Sequence, residues 1–65
     1  MKIEVNGEPR EVAGPMLADA LAELGWADAR VATALNGTFV PKGARGDTAL
    51  NAGDRLEVLA PMQGG

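Results

Sequence analysis

Met1, Ile3 and Val5 alternate with Lys2, Glu4 and Asn6, the period of a strand with one buried face. Asn6-Gly7-Glu8-Pro9 carries turn chemistry, so Arg10 to Ala13 is expected to return as the second strand of a hairpin. Gly14-Pro15 then opens a helix, because proline fits the first helical turn where an N–H has no partner in any case. Leu17, Leu21 and Leu24 follow at i, i+4 and i+7 with Met16 and Ala20 beside them, while Asp19 and Glu23 fall on the other face. Asp19 suits the positive end of the helix dipole, and Gly25 is the residue expected just past the C-terminus. The pattern predicts a helix over 16–24, its end capped by Trp26.

Trp26 to Arg30 reads as a connection, and Val31 to Leu35 as a buried strand running into the Asn36-Gly37 turn. Thr38-Phe39-Val40 returns as a strand and stops at Pro41. Lys42 to Asn51 has no period and reads as a loop with one short helical turn. Ala52-Gly53-Asp54 turns the chain into Arg55 to Ala60, a strand with Leu56, Val58 and Ala60 on one face, ended by Pro61. The order predicts an α+β domain over residues 1–61, with a mixed four- to five-stranded sheet and one helix across it. Placing both terminal strands side by side in the centre of that sheet buries their apolar faces under the helix. This order looks like the β-grasp, or ubiquitin-like, fold.

Composition limits what so small a domain can do. At 65 residues, 46% hydrophobic and 23% charged, the chain is globular but close to the lower limit for folding alone, and no cysteine is present to brace it. The start at Met1-Lys2-Ile3-Glu4 has no apolar signal segment, and no apolar run approaches the roughly 20 residues needed to cross a bilayer, so a cytoplasmic protein with no membrane partner is expected. A net charge of −3 with scattered basic residues argues against a nucleic-acid partner. The sequence lacks His, Cys, Ser and Tyr, which removes most nucleophiles and the usual neutral-pH base. So small a domain also leaves little room for a ligand cavity. These observations point away from an enzyme. Asp47 and Asp54 are read as turn residues rather than metal ligands, and no metal site is expected.

The remaining chemistry sits after the last strand, in Met62-Gln63-Gly64-Gly65. A terminal Gly-Gly is by itself a weak signal, since small residues are common at chain ends. Following a strand directly, it gains a physical logic. Four extended residues reach at most about 14 Å, and glycine has no Cβ to obstruct a narrow channel. A mobile 62–65 tail is therefore expected to carry the Gly65 carboxylate into the active site of another protein. There an ATP-using enzyme would convert it to an acyl-adenylate, and sulfur attack would yield a thiocarboxylate without any nucleophile from this chain.

Four segments together resemble the bacterial sulfur carriers of thiamine biosynthesis, the ThiS family. They are Met1 to Gly7, Ala34-Leu35-Asn36-Gly37-Thr38-Phe39-Val40-Pro41, Ala52 to Val58, and Ala60-Pro61-Met62-Gln63-Gly64-Gly65. The resemblance implies that Gly65 is adenylated by a ubiquitin-activating-like adenylyltransferase, receives sulfur from a donor protein, and delivers it to thiazole synthase. It implies no cofactor on this chain, ATP and magnesium belonging to the activating partner. Gly64 and Gly65 match the family's functional pair, whereas Lys42 to Thr48 departs from the family in being Gly-rich. Phe39, Val40 and Leu59 would form an apolar docking patch on the open sheet face, as the family uses, although core packing explains them equally well. Three other readings stay open: the small subunit of molybdopterin synthase, a lysine-conjugated ubiquitin-like modifier, and an interaction module without chemistry.

Overall fold

The computed structural model describes residues 1–27 and 29–60. Its elements in chain order are β1 (Lys2–Val5), β2 (Glu8–Glu11), α1 (Leu17–Glu23), β3 (Ala32–Leu35), β4 (Thr38–Val40), a 3-10 helix (Lys42–Asp47) and β5 (Arg55–Leu59). The sheet order is β2-β1-β5-β3-β4. β1 and β5 pair in parallel at its centre, and every other pairing is antiparallel. This is the β-grasp arrangement, with the two terminal strands adjacent as the element order suggests.

Alternation decides which face each strand buries. Ile3 and Val5 on β1 and Leu56 and Val58 on β5 point into the core, while Lys2, Glu4, Arg55, Glu57 and Leu59 point away. Leu17, Ala20 and Leu21 of α1 close the core from above, joined by Val12, Val40 and Leu50. Leu24 is only partly buried, and Ala60 is exposed rather than continuing the inward row of Leu56 and Val58.

The helix begins later than its proline suggests. Met16 is the N-cap in extended conformation, and Asp19 Oδ2 accepts a hydrogen bond from its N–H at 3.0 Å. Pro15 lies outside the helix because the chain there is already paired: the Leu50 N–H donates to the Pro15 carbonyl at 2.8 Å and the Leu17 N–H to the Thr48 carbonyl at 2.7 Å. The far end follows the expectation. Gly25 takes φ +94°, and the Trp26 and Gly25 N–H groups donate to the carbonyls of Leu21 and Ala22, a Schellman closure. The Trp26 ring packs against the core under this turn. Glu23 does more than face solvent: its two carboxylate oxygens accept from the N–H groups of Ala13 at 2.8 Å and Gly14 at 2.9 Å, tying the end of α1 to the segment after β2.

Both hairpins turn on Asn-Gly. Asn6 and Asn36 each sit at φ 51°, with Gly7 at 85° and Gly37 at 86°, and the flanking pairs Val5↔Glu8 and Leu35↔Thr38 leave two-residue loops. Each asparagine side chain also grips β5. Asn6 Oδ1 accepts from the Val58 N–H at 2.8 Å, and its Nδ2 donates to the Val58 carbonyl at 3.1 Å. The amide thereby replaces the main chain that β1 withdraws when it turns at Gly7. On the other side, Asn36 Oδ1 accepts from the Arg55 N–H at 2.9 Å, and Asn36 Nδ2 donates to Asp54 Oδ1. Asp54 Oδ2 in turn accepts from the Asn51 N–H, which closes the bend before β5.

The Asn6→Gly variant should isolate this clamp, since glycine keeps the turn conformation and removes only the side-chain amide. Two lost hydrogen bonds to a partly buried backbone predict a loss of about 1–3 kcal/mol in urea unfolding. Unfolding indistinguishable from the parent would show that β5 does not depend on the clamp.

Candidate functional site

The candidate site is the end of β5, the central strand that precedes the 61–65 segment. Met62, Gln63, Gly64 and Gly65 lie outside the described residues, so the geometry available is that of the strand delivering them. β5 is held on one side by β1 and Asn6, and on the other by β3 and Asn36. The end of β5 is thereby fixed within the sheet.

Beside this strand end the open sheet face is apolar. Phe39 of β4 pairs with Ala34, and Leu59 of β5 pairs with Ala32. Ala32 and Ala34 share a face of β3, so only two methyl groups stand between the larger side chains. Phe39 is 65% exposed and Leu59 68%, and they are the exposed large hydrophobic residues among those described. The rest of this face is charged, with Lys2, Glu4, Arg55 and Glu57 on β1 and β5.

Of the three residues expected on the open face, Phe39 and Leu59 are exposed there and Val40 is not. Val40 is 7% exposed and belongs to the core. The cause is its neighbour: Val40 follows Phe39 on β4, so the alternation that exposes one buries the other. Thr33 stands opposite Val40 on the inner face, and its hydroxyl donates to the Val40 carbonyl at 2.8 Å.

Residues 42–47, expected as a loop with one helical turn, form a 3-10 helix whose Arg45 is buried. Arg45 lines a surface groove of about 520 Å³ with Arg30 and Lys42, next to Leu59 and Ala60. Little free volume is expected in so small a domain, and this groove is an open depression rather than a cavity inside the core. No periodicity or motif in the sequence marks Arg30, Lys42 and Arg45 as neighbours; the fold alone brings them together. Among the described residues there is no group of three or more His, Cys, Asp or Glu side chains placed to hold a metal. No helix among them is long and apolar enough to cross a membrane.

Comparison with known proteins gives this geometry its context. The family model described as the ThiS family matches residues 3–65. The sulfur carrier protein ThiS of Thermus thermophilus is 42% identical over 94% of this chain and 95% of its own length. A thiazole synthase of Paramagnetospirillum magneticum is 41% identical over the whole of this chain, which spans only 20% of that relative. The crystal structure of the thiamine biosynthesis protein ThiS from Geobacter metallireducens superposes with a TM-score of 0.83 at 35% identity, covering all of both chains.

Proposed function

The chain belongs to the ThiS family, and from that premise we propose that it is a sulfur carrier, holding sulfur as a thiocarboxylate at Gly65 for thiazole formation in thiamine biosynthesis. The observation that carries this reading is the family match running from residue 3 to the diglycine at 65. The near full-length likeness to the Thermus sulfur carrier supports it. It also favours thiamine over the molybdopterin reading.

In this reading a carboxylate oxygen of Gly65 attacks the α-phosphorus of ATP on an adenylyltransferase, and pyrophosphate leaves. Hydrosulfide sulfur supplied by a donor protein then attacks the acyl carbon. AMP leaves, a proton is released, and a C–S bond replaces the C–O bond of the adenylate. The chain contributes a reactive end and a docking face, and its partners supply nucleotide, magnesium and catalysis. It is a substrate of the pathway rather than a catalyst within it. This division agrees with a chain lacking His, Cys, Ser and Tyr.

Thiazole synthase is the natural acceptor. A domain like this one occupies about a fifth of a protein bearing that name, as expected for two activities that work in contact. Phe39 and Leu59, beside the end of β5, are the residues we assign to docking. Their exposed apolar area is of the kind that partner binding buries.

Intact-mass measurement tests the proposal. The chain should be isolated from cells that also make the adenylyltransferase, the sulfur donor and thiazole synthase. A fraction should be heavier by one sulfur-for-oxygen exchange, and fragmentation should place the change on Gly65. Sulfur found elsewhere on the chain, or no heavier species at all under these conditions, would refute it.

A further inference from the structure

We propose that the groove formed by Arg30, Lys42 and Arg45 is a carboxylate-binding site, filled by an acidic side chain of the partner that docks on the Phe39–Leu59 face; it rests on the docking reading above. Arg45 is the reason. Its side chain is only 9% exposed, and its hydrogen bonds go to two neutral oxygens, from Nε to Thr33 Oγ1 at 3.0 Å and from Nη2 to the Val31 carbonyl. Among the described residues, no carboxylate lies within ion-pair distance of it and Nη1 has no acceptor. Nη1 is not sealed from solvent and sits on the groove side of an otherwise buried residue, so a carboxylate meeting that edge gains a charge-assisted hydrogen bond.

The surroundings fit the same ligand. Three of the chain's six basic residues line this groove, and no acidic residue among those described does. Three cations on one groove attract an anion to this spot. Val31, Ala32 and Leu59 form apolar walls between the cations, which suits an acidic side chain flanked by apolar groups better than a small free anion. Leu59 and Ala32 belong both to the groove and to the open-face patch. The two are one continuous surface, so a partner seated on Phe39 and Leu59 has its edge at Arg30 and Lys42.

Arg30 and Lys42 are exposed, so reversing their charge leaves the core intact, whereas Arg45 substitutions endanger folding. The test is calorimetric binding to the cognate thiazole synthase at low and high salt, with thermal melts of every variant. Arg30→Glu/Lys42→Glu should weaken binding by roughly ten-fold or more at low salt and flatten its salt dependence. Phe39→Ser, on the patch but outside the groove, should weaken binding while leaving the salt dependence in place. If Phe39→Ser loses binding but the double reversal matches the parent in affinity and salt dependence, the groove is not a carboxylate site and the docking face stands. If neither variant changes binding, or the parent does not bind, both readings fall.

Discussion

Leu17→Ala and Leu21→Ala should each remove about 2–5 kcal/mol of unfolding free energy, because each empties a buried site that α1 fills against the sheet. Leu17 is fully buried and Leu21 is 3% exposed. The wall opposite them is built from short strands that cannot collapse far into the gap. A domain of this size has a total stability of roughly 3–10 kcal/mol, so either change takes a large share of it. At about 4–8 °C per kcal/mol, the melting temperature should fall by at least about 8 °C. Leu24→Ala should do less, since Leu24 is only partly buried at the C-cap. Equal melting of all three variants would contradict the helix-on-sheet core.

Those core positions are legible in the sequence because the two periods in the chain are clean. Alternation over Met1 to Val5 and Arg55 to Leu59 specifies strands with one apolar face, and the spacing of Leu17 and Leu21 specifies a helix that covers them. The two Asn-Gly pairs specify both hairpins, because both central residues of such a turn need positive φ. What escapes the pattern comes from contacts between distant segments. Pro15 suggests a helix start by local rule, but pairing with Leu50 moves that start to Leu17. Asn6 reads as a turn residue, and nothing local shows that its amide reaches Val58, 52 positions on. Val40 groups with Phe39 as apolar, although adjacent strand residues face opposite sides. Arg45 in a Gly-rich loop reads as solvated until the fold places Thr33 and Val31 around it. The diglycine is legible only as chemistry, and residues 61–65 lie outside the described structure.

The second large effect concerns that diglycine. Adding one residue after Gly65, or deleting Gly65, should abolish adenylation while leaving the melt unchanged. An adenylating site must hold the carboxylate in line with the α-phosphate, and one residue of extended chain shifts it by about 3.3 Å, far beyond what in-line attack tolerates. The fold should be indifferent, because the buried side chains that β5 contributes, Leu56 and Val58, lie well before Gly65. A bulky residue in place of Gly64 should act in the same direction by obstructing the channel, and changes at Met62 or Gln63 should be milder. The decisive measurement is ATP–pyrophosphate exchange by the cognate adenylyltransferase with the parent chain and the Gly65 variants, at matched concentration and with matched thermal melts. The account predicts exchange with the parent and none above background with either Gly65 variant. Undiminished exchange with the extended or the shortened chain would contradict it, because the reacting carboxylate would then not be that of Gly65.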